Sequence, residues 1–247
     1  MTKEGFPLKQ MFLSTGKEFK EIETFEPGAW IHLVNPSQEE ALKVAERFNI
    51  DIQDLRAPLD VEETSRIDVE DDYTLILVDI PTQEERNNKS YYVTIPLGII
   101  VTDEVVVTTC LENISLMDDF LNHRVRNFYT FMKTRFVFQI LYRNAQLYLT
   151  ALRSIDRQND KLEAQLENST KNEHLIDMME LEKSIVYLKA SLKMNERIVK
   201  KLTGNASSLK KYIEDEDLLE DTLVETQQAI EMAGIYENVL NAMTETS

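Results

Sequence analysis

One stretch of the chain decides its fold: residues 141–202 read LYRNAQLYLTALRSIDRQNDKLEAQLENSTKNEHLIDMMELEKSIVYLKASLKMNERIVKKL. Apolar residues recur there at alternating intervals of four and three positions, in two runs separated by the polar residues 168–172. This spacing is typical of a heptad seam on a long amphipathic helix. The two seams come into register when the chain folds back at Thr170, which predicts an antiparallel helical hairpin. The facing pairs would be Leu162 with Met178, Ile155 with Ile185, Leu152 with Leu188, and Tyr148 with Leu192.

Glycine and proline are distributed very unevenly around this hairpin. Neither occurs between Gly98 and Gly204, and all six prolines lie at or before Pro96. Because these residues interrupt regular structure, their absence indicates long helices in the second half and short elements in the first. The predicted fold class is α+β: an N-terminal α/β/α head with a mixed sheet, then the long antiparallel hairpin and a long C-terminal stalk helix. The predicted boundaries are 1–126 for the head, 127–203 for the hairpin and 204–247 for the stalk helix.

Apolar runs bounded by turn residues predict the elements of the head. Ala29–Val34 is expected to be a strand, and Asn35 and Pro36 are expected to form the cap and first turn of a helix that runs to residue 49. The polar residues 84–89 are predicted to form a loop between two strands. The other strands are expected at 66–70, 73–80, 92–101 and 105–110, and the other short helices at 52–57 and 115–125.

The composition excludes several classes of function. The formal net charge is −17, whereas binding to nucleic acid or to anionic lipid requires a basic surface. No window approaches the roughly 18 consecutive apolar residues of a membrane-spanning helix, so the chain is not expected to cross a membrane itself. The lone Cys110 allows no internal disulfide. The histidines are scattered and no glycine-rich phosphate-binding loop is present, so an enzyme is not expected.

Acidic residues concentrate in two places, at positions 60–72 and along the C-terminal helix. No lysine or arginine follows Lys211, although acids continue to the end of the chain. Asp217, Asp221 and Glu225 are spaced by four residues, which places three carboxylates on one helical stripe. A solvated helix face is one interpretation of this stripe. The other is a surface for a divalent cation, because carboxylate oxygens suit Mg²⁺, which needs only one or two of them and keeps several waters.

Three segments, taken in order, resemble a known family. They are residues 30–36 (WIHLVNP), 59–73 (LDVEETSRIDVEDDY) and 96–101 (PLGIIV), followed by the paired long helices. The chain resembles, over nearly its whole length, the cytoplasmic part of CorA-type magnesium transporters. The Gly-Met-Asn signature of that family would lie beyond Ser247. The resemblance therefore implies a piece of a longer cell membrane protein, attached to the membrane only through helices that follow this chain.

The resemblance also implies a function. The family forms a funnel-shaped homopentamer in which Mg²⁺ binds between neighbouring cytoplasmic domains and keeps the channel closed. One ligand of that sensor is an aspartate near the start of the stalk helix, for which Asp221 is the best match, with Asp217 and Glu225 as neighbours. Its partner is an acid in the head. The aligned segment 56–57 carries no acid, so the nearby Asp54 or Asp60 would have to take its place.

Two alternatives stay open at this stage. The same architecture could serve another divalent metal such as zinc, cobalt or nickel, because selectivity would reside in a pore outside these residues. From a different class, the chain could be a soluble coiled-coil scaffold whose acidic helix binds a basic partner.

Overall fold

The computed structural model describes residues 11–166, 171–204, 209 and 213–246. Its strands form one seven-stranded sheet in the order β2-β1-β3-β7-β6-β5-β4. Only β3 and β7 pair in parallel, and all other neighbours are antiparallel, so the sheet is mixed as predicted. The strands are β1 (Met11–Ser14), β2 (Phe19–Glu21), β3 (Ala29–Val34), β4 (Arg66–Val69), β5 (Tyr73–Arg86), β6 (Lys89–Thr102) and β7 (Val105–Cys110).

Helices cover both faces of this sheet. Successive residues of a strand point to opposite faces, and the buried residues follow that alternation. Leu75 and Leu77 of β5 lie in a core with the first two helices, whereas Ile76 and Val78 lie in a second core with the third and fourth helices. The predicted α/β/α head is confirmed. The helices are α1 (Gln38–Phe48), α2 (Ile52–Arg56), α3 (Ser115–Leu121), α4 (Lys133–Leu166), α5 (Lys171–Thr203) and α6 (Ile213–Thr246).

The long helices α4, α5 and α6 share a third apolar core. Tyr148 Oη on α4 lies 2.6 Å from Ser191 Oγ on α5, which agrees with the register of the predicted hairpin. The turn at Thr170 lies outside the described residues. Helix α6 adds Ala229 and Ala233 to the same core, so the seam belongs to three helices and not to two. The predicted pairs of Ile155 with Ile185, Leu152 with Leu188, and Tyr148 with Leu192 all lie within this core.

Two local predictions are wrong. Helix α1 is capped by Ser37, whose Oγ accepts a hydrogen bond from the Glu40 N–H at 3.1 Å, and not by Asn35. Asn35 has a left-handed backbone (φ 44) and donates its N–H to the Cys110 carbonyl, so it ends β3 instead. Residues 84–89 are not a loop, because β5 and β6 continue to a two-residue turn. Both turn residues, Asn87 and Asn88, have positive φ, as this tight hairpin connection requires.

Strand β1 and the edge strand β2 were not anticipated from the sequence. The domain boundaries remain predictions, although the sheet and α4 meet closely: the Trp30 and Phe136 rings lie 5.0 Å apart. Among the residues that the structure describes, no helix combines the length and apolar character needed to cross a bilayer.

Candidate functional site

The acidic stripe of the sequence lies on the first half of α6. Asp217 and Asp221 are exposed there, and Glu225 is half-buried one turn further along. Within the described residues, none of the three forms an ion pair or a hydrogen bond through its carboxylate. Helix α6 begins at Ile213, so the positive end of its dipole stabilises Asp217 more than Glu225. The stripe therefore keeps carboxylates that no described basic group neutralises.

The two candidate partner acids in the head differ in their surroundings. Asp54 is half-buried, accepts a hydrogen bond from the Tyr73 hydroxyl, and has an oxygen 3.9 Å from Arg66 Nη2. Asp60 is exposed, and its Oδ1 accepts only the backbone N–H of Glu62, at 3.0 Å. Asp54 is thus engaged by a donor and a cation, while Asp60 carries a charge that nothing described neutralises.

The structure does not bring these two groups of acids together within one chain. No described contact joins Asp54 or Asp60 to the acids of α6. No cluster of three or more His, Cys, Asp or Glu side chains suited to a metal ion occurs in the described part of the chain. The exposed carboxylates suit Mg²⁺ chemically, because Mg²⁺ retains several waters and needs one or two protein oxygens.

A buried polar junction, missed by the sequence analysis, connects the sheet to the long helices. The main-chain oxygen of Asp79 on β5 accepts hydrogen bonds from Asn144 Nδ2 (2.9 Å) and Tyr148 Oη (2.9 Å) on α4. It also accepts one from Asn195 Nδ2 on α5 at 3.0 Å. The Asp79 carboxylate accepts a further hydrogen bond from Ser191 Oγ at 3.0 Å. One residue of the sheet therefore holds both α4 and α5.

Burial raises the pKa of the Asp79 carboxyl, and hydrogen bonds from Ser191 and Ser65 offset part of that rise. The signal for this junction was present in the sequence: Tyr148 and Asn195 occupy seam positions where apolar residues are expected. A polar residue on a buried seam needs a partner. The sequence alone could not say that the partner is a strand residue far away in the chain.

His32 lies in the core of the head. Among the described residues it belongs to no group of side chains that could hold a metal ion. Its Nδ1 is 2.7 Å from Thr108 Oγ1, which also accepts a hydrogen bond from Trp30 Nε1 at 2.7 Å. Burial lowers the pKa of the His32 imidazole to about 4, so it is neutral at physiological pH. Its role is structural.

Comparison with known proteins identifies a family. Residues 26–247 match the family described as CorA-like Mg2+ transporter protein. The cobalt/magnesium transport protein CorA of Methanocaldococcus jannaschii is 26% identical over 228 residues, which cover 87% of this chain and 67% of that protein.

Two solved structures from the same organism share the fold. The complete CorA magnesium transporter superposes with a TM-score of 0.82 at 21% identity, over 96% of this chain and 75% of that one. The soluble domain of CorA superposes with a TM-score of 0.78 at 24% identity, over 88% of this chain and 86% of that one. At identities below 25%, these superpositions show a shared fold and nothing further.

Proposed function

The chain belongs to the family of CorA-like Mg²⁺ transporter proteins, and from that premise we propose that it is the regulatory part of a magnesium transporter, sensing Mg²⁺ at acidic sites between the subunits of a homopentamer. It would lie on the cytoplasmic side of the membrane. The chain spans 75% of the complete M. jannaschii structure, and the proposal places ion conduction outside this chain.

The observation that carries this proposal is the unneutralised acidic stripe on α6. Asp217 and Asp221 are exposed and form no described ion pair. Two carboxylates about 5 Å apart repel each other by about 3 kcal/mol at an effective dielectric constant of about 20. A divalent cation placed between them turns this repulsion into attraction. Mg²⁺ would therefore hold two acidic subunit surfaces together, and its loss would release them.

Asp60 is the better partner for this stripe across the subunit boundary. Asp54 already interacts with Arg66 and with the Tyr73 hydroxyl, so a metal ion would have to displace both. Asp60 is exposed, and its carboxylate accepts a single backbone hydrogen bond. Binding there would cost no existing ion pair.

A route from the sensor to the rest of the molecule runs through the long helices. Glu237 of α6 pairs with Lys189 of α5 at 3.1 Å, and α6 shares its apolar core with α4 and α5. Both of those helices are hydrogen-bonded to Asp79 of the sheet. A head that moves when Mg²⁺ leaves would therefore carry α6 with it.

Thermal unfolding of this chain tests the proposal. Millimolar Mg²⁺ is expected to raise the melting temperature more than sodium chloride of equal ionic strength. Binding at a site stabilises the folded protein in addition to the charge screening that both salts provide. The double variant Asp217→Asn/Asp221→Asn should lose this difference. The matched control is Glu216→Gln/Glu220→Gln, which removes the same charge from neighbouring exposed positions of α6. If both double variants lose the extra stabilisation by Mg²⁺ equally, then this stabilisation depends on net charge and not on a specific site.

A second candidate differs only in the ion. Because the relative from M. jannaschii is named a cobalt/magnesium transport protein, Co²⁺ is compared with Mg²⁺ in the same titration. Zn²⁺ and Ni²⁺ are titrated in the same way. A preference for one of these ions at equal free concentration would assign the sensor to that metal.

A further inference from the structure

A cavity with an excess of positive charge lies between the start of α4 and the start of α6. Its volume is about 410 Å³, which is in the range of small-molecule sites. Arg126, Arg135 and Arg143 line it together with a single acid, Asp215, and none of the acids of the stripe on α6 takes part. The lining therefore carries three positive charges and one negative charge, whereas the whole chain has a net charge of −17.

The described ion pairs leave part of this positive charge uncompensated. Arg135 Nε donates to Asp215 Oδ1 at 3.1 Å, so these two opposite charges compensate each other. Asp119 lies between two arginines: its Oδ2 is 3.5 Å from Arg143 Nη1, and its Oδ1 is 3.8 Å from Arg124 Nη1. One carboxylate cannot balance two guanidinium groups, and both contacts are long. Arg143, whose side chain is 30% exposed, therefore keeps hydrogens that no described acceptor uses.

Arg126 belongs to the segment before α4. It is exposed, and its side chain has no ion pair or hydrogen bond among the described residues. Its backbone is held in place, because Gln139 Nε2 on α4 donates to the Arg126 carbonyl at 3.0 Å. Tyr142 on α4 accepts a hydrogen bond from Gln146 Nε2 at 3.3 Å, and its own hydroxyl hydrogen has no described acceptor. Unused donors therefore line the cavity both on α4 and on the segment before it.

The unpaired acceptors of the lining cannot be reached by a ligand. Asp215 Oδ2 and Gln139 Oε1 have no hydrogen-bond partner among the described residues, but each exposes less than 1 Å². The charged groups that a ligand can contact are therefore guanidinium groups, which only donate hydrogen bonds. Guanidinium forks match the oxygens of phosphate and carboxylate groups, and these charge-assisted hydrogen bonds are strong. The lining thus favours an anion with several oxygens over a neutral molecule or a cation.

From this combination we propose that the cavity binds a small oxyanion, with its phosphate or carboxylate oxygens between Arg126 and Arg143. The Tyr142 hydroxyl donates a further hydrogen bond to it. A phosphate dianion is favoured over a single carboxylate, because it offers more oxygens and more negative charge to the two guanidinium groups. Since Arg126 precedes α4 and Arg143 lies within it, the bound anion joins the segment before α4 to the helix. This binding does not depend on the proposed metal sensing.

A titration followed by two-dimensional NMR spectra of the backbone amides tests the proposal. Sodium phosphate, malonate and acetate are added separately to this chain at neutral pH with a chelator present, and sodium chloride keeps the ionic strength constant. Phosphate is expected to shift a subset of signals saturably, with a midpoint on the order of 1 mM for a few charge-assisted contacts. Acetate should need a concentration about tenfold higher. If malonate saturates at a lower concentration than phosphate, the oxyanion is a dicarboxylate.

Variants locate the site. Arg126→Gln is expected to raise the phosphate midpoint about tenfold, the loss of one charge-assisted contact, and Tyr142→Phe about threefold. The Arg126 side chain makes no described polar contact, so its replacement should leave the fold intact, which circular dichroism checks. The matched control is Arg157→Gln on the exposed surface of α4, which should leave the midpoint unchanged. Shifts that stay linear for both phosphate and malonate overturn the proposal, as does an Arg126→Gln midpoint equal to that of the native protein or of Arg157→Gln.

Discussion

Tyr148 Oη on α4 lies 2.9 Å from the main-chain oxygen of Asp79 on β5, and this contact closes a ring of four oxygens whose three contacts need three hydrogens. The other two contacts join Tyr148 to Ser191 Oγ (2.6 Å) and Ser191 Oγ to Asp79 Oδ2 (3.0 Å). The two hydroxyl groups supply only two hydrogens. One of the three contacts is therefore made without a hydrogen of its own as long as the Asp79 carboxyl is ionised, and burial raises the pKa of that carboxyl.

Tyr148→Phe should lower the free energy of unfolding by about 1–3 kcal/mol, because it removes one hydroxyl from a fully buried hydrogen-bonded group. Urea denaturation followed by circular dichroism measures the change. Tyr187→Phe serves as the control, since Tyr187 is 58% exposed on α5. Similar losses in both variants would show that the ring of oxygens contributes nothing particular to stability.

Asp79→Asn should stabilise the protein at neutral pH. The native carboxyl has a raised pKa, so the folded protein binds its proton more tightly than the unfolded chain does. Its contribution to stability is therefore largest at acidic pH and is lost as the pH rises through the raised pKa. Asparagine supplies the third hydrogen of the ring at every pH.

Urea denaturation at a series of pH values checks this prediction. The advantage of Asp79→Asn over the native protein should shrink as the pH falls towards the ordinary aspartate pKa of about 4. Glu216→Gln controls for the loss of one negative charge at an exposed position. An asparagine variant that is less stable by the same amount at every pH would contradict a raised pKa of the Asp79 carboxyl.

His32→Gln should make the free energy of unfolding depend less on pH in the acidic range. Burial lowers the pKa of His32 from 6.5 to about 4, so the unfolded chain takes up a proton that the folded protein refuses. Stability from this group is complete above pH 6.5 and is lost as the pH falls from there towards 4, by about 3 kcal/mol in total. The free energies of unfolding of the two proteins, measured over this range, should converge as the pH falls. Parallel curves would contradict a buried neutral imidazole.

Gly98→Ala should destabilise the head, because β6 approaches the 3₁₀ turn Ala57–Leu59 very closely at this point. A Cβ added to Gly98 would lie 2.5 Å from Pro58 Cγ, in a ring that cannot turn aside. The expected cost is about 1–3 kcal/mol. Gly16→Ala is the matched control, since no atom lies within 4 Å of its added Cβ. Equal stability of the two variants would contradict this close approach.

The fold could be predicted from the sequence where a local pattern decides it. The heptad seam and the absence of glycine and proline between Gly98 and Gly204 predicted the long helices. The apolar run at Ala29–Val34 predicted a central strand. The pattern failed at edges. Strand β2, Phe19–Glu21, buries little, so it shows no alternation. The polar residues 84–86 and 89 lie in strands because pairing with the opposite strand outweighs their propensity.

The candidate sites were predictable only in part, because composition reveals charge but not what neutralises it. The stripe of Asp217 and Asp221 could be predicted from spacing alone. The engagement of Asp54 by Arg66 could not, since it depends on how β4 lies against α2. A cavity lined by Arg126 and Arg143 was missed for the same reason: the two residues are separated by the turn into α4 and share a surface only after folding.

Asp60→Asn should weaken association of this chain in Mg²⁺, whereas Asp54→Asn should not. Asp60 offers an exposed carboxylate to a neighbouring subunit, while the Asp54 carboxylate already interacts with Arg66 and Tyr73. Sedimentation velocity at several protein concentrations, with millimolar Mg²⁺ or with sodium chloride of equal ionic strength, measures the association. The native protein and Asp54→Asn should sediment faster in Mg²⁺, and Asp60→Asn should lose most of that increase. If Asp54→Asn loses the increase and Asp60→Asn keeps it, then the metal displaces Arg66 from Asp54, and the assignment of Asp60 is wrong.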